Sequence, residues 1–181
     1  WNVERGIYLW DWFVDSYTCG SRQRVGRVGD GGKWTCGIAK LRKIENCVVY
    51  SFGVRDDVSF ELDLAEKTGC TIHAFDPSIG QPPKQIPARL VEDGTFTWHK
   101  QALAPHTGAV HDFVNAESLL DTMERLGHSK VHLIKIDIEG AEWDVFSNLF
   151  RSDVQLRHIT DQLLIELHYR DTDAMFEFFE G

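Results

Sequence analysis

Asp137, Glu139 and Glu142 crowd around Gly140 directly after the apolar run VHLIKI, and Glu166 and His168 close a second apolar run, QLLIELH. Carboxylates and an imidazole in such places can move protons or hold cations. His168 is a candidate general base for a hydroxyl, or a structural histidine at a strand end. Asp137 is a candidate carboxylate facing a positively charged group, or a cap on the helix that follows. Glu139 and Glu142, three apart, share one helix face; they can meet a substrate or a metal, or form a solvated first turn. Glu166 and His168, two apart, point to the same side of a strand. Carboxylates beside an apolar run are costly unless something compensates their charge.

The surrounding chain alternates strands and helices. CVVYSF reads as a strand ending at Gly53, and Asp56 or Asp57 can cap a helix running to about Lys67 with Gly69 as its stop. TIHAF is the next strand, ending at Asp76-Pro77, and the loop with Pro82, Pro83 and Pro87 reads as irregular. TFTWHKQAL reads as a third strand. Asn115 is the expected cap of a helix carrying Leu119, Leu120, Met123 and Leu126. VHLIKI is the fourth strand, followed by an amphipathic helix with Trp143, Phe146 and Leu149. QLLIELH is the fifth, and DAMFEFF begins another helix.

Such alternation predicts an α/β fold with a mostly parallel sheet covered by helices on both faces. Ligands of these sheets bind beyond the carboxyl ends of the strands, which is where the carboxylates lie. Gly53 would let backbone approach a ligand closely. Asp76, 23 residues later, is placed to accept hydrogen bonds from a ribose diol, or else serves as an Asp-Pro turn residue.

Composition narrows the partners. The 181 residues are 43% hydrophobic and carry a net charge of −9, which fits one packed domain and disfavours sequence-independent binding to nucleic acid. Arg22, Arg24, Arg27 and Lys33, like Lys40, Arg42 and Lys43, read as solvated surface. RVGRVGDGGKW lacks the preceding strand and the ending of a phosphate loop, so Gly29 to Gly32 reads as a tight turn. No apolar run reaches the length of a membrane span. The four cysteines form no CxxC or CxxH pair; two disulfides and four buried thiols are both open from spacing.

LIKIDIEGAEWDVF resembles the signature that follows the fourth strand of FkbM-type methyltransferases, a branch of the class I S-adenosylmethionine-dependent enzymes. GDGGKW, CVVYSFGVRDDVSFE, HAFDP and LLIELH further resemble a group of animal methyltransferase-like proteins, so the likeness covers nearly the whole chain. The resemblance implies a Rossmann-like fold over residues 41–181, with the aromatic and glycine-rich segment 1–40 packed on it and the last strands of the usual sheet missing. It also implies S-adenosylmethionine as cofactor and an oxygen of a small molecule, sugar or peptide as methyl acceptor. It places Ser51, Phe52 and Gly53 at the methionine part, Asp76 and Pro77 at the ribose, Gln101 and Ala102 at the adenine, and Asp137 beside the methyl. Asp137, His168 and Glu142 form the expected catalytic set. A divalent metal at Asp137, Glu139, Glu142 and His168 is compatible with these residues but not demanded by their spacing.

The chain departs from the class pattern where Ser51 replaces an acid and Arg55 and Asp57 replace glycines. That leaves a second reading, a non-catalytic interaction protein that keeps the fold. A nicotinamide enzyme is disfavoured, because no GxGxxG follows the first strand. The animal members implied by the resemblance enter the secretory pathway, which favours disulfides and a Golgi-lumenal or secreted location.

Overall fold

The computed structural model describes residues 18–108 and 115–168. In chain order the elements are β1 (Gln23–Val25), β2 (Lys33–Thr35), α1 (Ile38–Leu41), β3 (Val48–Phe52), α2 (Ser59–Thr68), β4 (Thr71–Phe75), α3 (Ala88–Glu92), β5 (Phe96–His99), β6 (Ala102–Leu103), β7 (Ala116–Glu117), α4 (Leu119–Arg125), β8 (Val131–Ile136), α5 (Glu142–Arg151), α6 (Leu156–Ile159) and β9 (Thr160–Ile165). Five strands form one parallel sheet in the order β5-β4-β3-β8-β9. Strand order therefore reverses between β3 and β8, the switch point at which such sheets bind ligands.

The central strands read as continuous apolar runs because both of their faces are covered. Val49, Ile72, Ala74 and Leu133 pack with Phe60 and Leu64 of α2 and with residues of α1 and α3. Tyr50, Phe52, Phe75, Ile134 and Ile136 pack with Leu119 and Met123 of α4 and Val145, Phe146 and Leu149 of α5. This is the Rossmann-like α/β arrangement that the alternating pattern predicts. Disulfides join Cys19 to Cys36 and Cys47 to Cys70, the latter pair fastening the amino ends of β3 and β4.

Several local expectations need correction. TFTWHKQAL is not one strand: the Gln101 amide donates back to His99 O, and Ala102–Leu103 then pairs with β7 instead. Ser118, not Asn115, caps α4 by accepting from Asp121 N, while Asn115 bonds Lys100 O. The loop with Pro77, Pro82, Pro83 and Pro87 is irregular as expected, and a short helix not foreseen, α3, begins directly after it, a start that Pro87 suits because a helix start needs no N–H there. Asp57 accepts from Ser59 N at the start of α2, and Gly69 ends it in the left-handed conformation as expected. The helix expected at DAMFEFF lies outside the described residues.

On the α4 side of the sheet, His73 of β4 meets His99 of β5, Nδ1 to Nε2 at 3.0 Å, with rings stacked at 5.2 Å. Tyr50 lies against His73 and shares a 2.6 Å hydrogen bond with His128. Burial, then the neighbouring imidazoles and Arg125, push His73 down to about 4. Burial and Arg125 push His99 down to about 4 as well, Glu117 opposing. Both imidazoles thus stay neutral in the folded chain below the pH at which an unfolded histidine takes its proton, near 6.5. Their contribution is complete above pH 6.5 and is lost as pH falls towards 4, because the unfolded state binds more protons in that window. The melting temperature should fall by roughly 5 °C or more between pH 7 and pH 4.5. His73→Phe, which keeps a ring between Tyr50 and His99, should flatten that slope; an unchanged slope would exclude the pair as its source.

Candidate active site

The carboxyl ends of β3, β4 and β8 open into a cavity of about 1190 Å³. Gly53, at φ 74°, ends β3. A Cβ on it would lie 1.6 Å from the carbonyl oxygen of Asp137, so the two strand ends cross where only glycine fits. The close approach is thus to Asp137 backbone. Asp76, at the end of β4, is 2% exposed and lines the cavity with Pro77. Its Oδ2 accepts from Arg55 N at 2.8 Å and its Oδ1 from Ser78 N at 2.8 Å, tying together the loops after β3 and β4. A carboxylate has about four lone-pair positions, so capacity for a further donor remains. Phe52, Phe75 and Ala102 to Ala104 supply an apolar wall. The Gln101 side chain is held by Thr122 and Arg125.

Ser51 does not line the cavity. It is fully buried, and its hydroxyl donates to Glu61 Oε1 at 2.5 Å. Burial pushes the Glu61 carboxyl up, with Lys135 and Ser51 opposing. A carboxylate thus reaches Ser51 from α2, at the position where the class pattern carries an acid in the strand.

Asp137 is surrounded by cations. Lys33 Nζ lies 3.1 Å from its Oδ2, Lys135 Nζ 3.8 Å from the same oxygen, and His168 Nε2 3.8 Å from Oδ1. Lys135, 4% exposed, also reaches Gly53 O at 3.4 Å. Lys33 contacts Glu166 as well. Lys33 is therefore not a solvated surface residue: its side chain is 17% exposed and turned into the site from β2. Burial works against its charge, but bonds to Glu166 and Asp137 outweigh it and raise its pKa above the ordinary lysine value. Of the carboxylates after the apolar strand, Asp137 is compensated by the chain's own lysines.

Glu142 does not line the rim. It is 0% exposed, inside the first turn of α5, and accepts from Ile138 N at 2.7 Å and Gly140 N at 2.8 Å. Its Oε1 also lies 3.1 Å from His168 Nδ1. Glu142 fixes the 138–140 turn, in which Glu139 takes φ 57°, and positions the imidazole from beneath. With Nδ1–H donated to Glu142, the neutral ring presents Nε2 as an acceptor to the cavity, beside Asp137. The indole of Trp143 donates to His168 O at 2.8 Å and holds the residue's backbone. Burial lowers the His168 pKa, but the bond to Glu142 and the charges of Glu142, Glu139 and Asp137 prevail and raise it. Asp137 and His168 thus share one cavity, as neighbouring parallel strands require. Among the described residues, Asp137, Glu166 and His168 offer ligand atoms within 4.8 Å of one another. Glu142 and the exposed Glu139 are not in that group.

Lys135 carries a sequence signal: it is a lone lysine inside an apolar strand, and such a lysine needs a buried partner. Lys33 had none, since its partner Asp137 is 104 residues away.

Glu142→Ala leaves two backbone amides without an acceptor and should cost about 2–4 kcal/mol in urea unfolding. Glu142→Gln, which keeps one acceptor oxygen, should cost less. In both variants the His168 pKa, followed by NMR, should fall. Wild-type stability in Glu142→Ala would refute the positioning role.

A family model described as a methyltransferase domain matches residues 2–179. "Probable methyltransferase-like protein 24" of Rattus norvegicus is 32% identical over 138 residues, 73% of this chain and 36% of the relative. The Homo sapiens protein of the same name is 33% identical over 130 residues, 68% of this chain and 33% of the relative. The chain thus spans about a third of the length of these curated relatives. No solved structure matches it significantly. With a domain model covering nearly all of its length and relatives at this identity, the chain belongs to the methyltransferase-domain family.

Proposed function

We propose that the chain binds S-adenosylmethionine in this cavity, as an FkbM-like class I enzyme, and transfers its methyl group to an oxygen of a small molecule, sugar or peptide. The observation that carries the reading is the placement of Asp76 and the Asp137–His168 pair at neighbouring strand ends around one cavity. The residues fit the cofactor. Asp76, with Pro77, would take the ribose; the wall at Gln101, Ala102 and Leu103 would take the adenine; Phe52 and the Gly53 turn would flank the methionine part. Ser51 supports that turn from below through Glu61 and is not proposed as a contact.

The cofactor supplies an activated methyl group, so the chain's task is positioning and proton transfer. Asp137 would face the donor centre with its charge fixed by Lys33 and Lys135. His168 would accept the acceptor's hydroxyl proton at Nε2, with Nδ1 held by Glu142. Because the bond to Glu142 and the nearby carboxylates raise the His168 pKa, the base form predominates only above the ordinary histidine value. Turnover should rise with pH through an apparent pKa above 6.5. The alternative, a non-catalytic interaction protein, is favoured by one observation: Asp137 already has its charge satisfied within the chain.

Asp76→Ala should weaken S-adenosylmethionine binding by about tenfold or more in calorimetry, roughly 1.4 kcal/mol. Asp137→Asn should abolish turnover against a panel of hydroxyl-bearing sugars and peptides. Its melting temperature should stay within a few degrees, since Lys33 keeps Glu166 and Lys135 keeps Glu61. Cofactor binding without turnover in the wild type would select the interaction-protein reading, and no binding would sink both forms of the cofactor proposal.

Two disulfides support an oxidising compartment, a secreted or Golgi-lumenal setting. Thiol labelling of denatured, unreduced protein from a secretory host should find none of these four cysteines free; four labelled thiols would refute that setting.

A further inference from the structure

We propose that Asp137, Glu166 and His168 form a cation site whose resident cation is the Lys33 ammonium, delivered by the β1–β2 hairpin, and that this centre therefore binds no divalent metal. The three groups come from the ends of β8 and β9, with ligand atoms within 4.8 Å of one another, a donor set suited to manganese or magnesium. Two carboxylates so close repel each other unless a cation lies between them. Lys33 Nζ contacts both, at 3.1 Å from Asp137 and closer to Glu166. Lys135 adds a second positive charge 3.8 Å from Asp137. A dication entering here would meet both ammonium groups and would have to displace Lys33.

The hairpin is built to prevent that displacement. Alternation along β2 turns Lys33 and the fully buried Thr35 inward, while Trp34 is 54% exposed beneath the Arg22 guanidinium. Just beyond β2, Cys36 is bonded to Cys19, and its amide and carbonyl are both held by the Gln162 side chain of β9, at 2.8 and 3.2 Å. On the other side of the turn, Gly26 N donates to Asp63 Oδ2 and Arg27 N to Ser59 Oγ. The hairpin is thus fixed to α2 and to β9. Since Arg27, Asp30 and Gly31 form part of the cavity wall, the Lys33 contacts also latch that wall to the sheet edge. Lys33 performs both tasks of a structural metal: it balances the carboxylates and joins two segments distant in sequence.

The inference rests on the site geometry and not on methyl transfer, so it is tested with manganese alone on the oxidised protein. Millimolar manganese or EDTA should leave the wild-type melting temperature unchanged. Lys33→Ala should bind one manganese at least roughly tenfold more tightly than wild type. Adding Glu166→Gln should abolish that gain. Protease cleavage in the 26–32 turn should be faster in Lys33→Ala and slow again with manganese. Lys33→Arg, which keeps a cation, should fold and remain indifferent to metal, and so serves if Lys33→Ala does not fold. Stoichiometric manganese binding by the wild type that Glu166→Gln removes would overturn the proposal. So would a folded Lys33→Ala with no gain in manganese affinity, or a Lys33→Arg protein that requires metal to fold.

Discussion

The backbone crossing of Gly53 and Asp137 fixes everything built on the carboxyl edge of the sheet. No side chain fits between them, since a Cβ would lie 1.6 Å from the Asp137 carbonyl oxygen. The crossing lies at the switch point between β3 and β8, where helices leave in opposite directions and a cavity opens. It holds Asp137 N on Phe52 O and Gly53 N on Phe75 O, so three strand ends are ordered by one contact region. Asp137 lines the cavity from there, and His168, held by Glu142 and Trp143 beyond the end of β9, stands beside it.

Charge is the second constraint. A strand as apolar as VHLIKI cannot end in exposed-type carboxylates at its rim without compensation, and the structure supplies a different solution for each. Asp137 has two ammonium groups, Glu142 has two backbone amides and an imidazole, and Asp76 has two backbone amides and a hydroxyl. Glu61 has the Ser51 hydroxyl and the Lys135 charge. Asp137, Glu142 and Asp76 are thus each held by groups of the chain itself, so these parts of the site are preorganised before any ligand arrives. Such preorganisation suits chemistry that demands positioning more than covalent participation.

The sheet was legible because strands covered on both faces are written as unbroken apolar runs, and β3, β4 and β8 are such runs. The nearness of Asp137 and His168 was legible for the same reason: parallel neighbours bring their ends together. Other features were written in contacts distant in sequence. Gln101 turns the chain after β5 among Thr122 and Arg125 of α4, so TFTWHKQAL looked continuous. Ser118 displaced Asn115 as a cap because Asp121 stands in the right register to bond it, a choice that periodicity alone does not resolve. Helical spacing put Glu139 and Glu142 on one face, yet the left-handed turn at Glu139 separates them, one into solvent and one into the core. Lys33 was unreadable, since a short hairpin in a glycine-rich stretch carries no periodic signal.

The two disulfides divide the labour along the sheet. Cys47–Cys70 closes a loop of 23 residues at the amino ends of β3 and β4, away from the cavity, and limits the unfolded chain by about 3 kcal/mol on the loop-entropy scale. Cys19–Cys36 closes a loop of 17 residues around the hairpin, with a similar entropic effect but a different consequence. Four hydrogen bonds, the Arg27–Asp57 ion pair and an ammonium would otherwise hold a segment with little core of its own, in which Val25 is the one buried large aliphatic side chain of β1 and β2. A hairpin so poor in apolar contacts is stable in place only if covalent and ionic ties substitute for packing. The Cys19–Cys36 link fastens the two ends of the hairpin to each other, while the Gln162 side chain holds Cys36 beside β9, and together they present the Lys33 ammonium to Asp137.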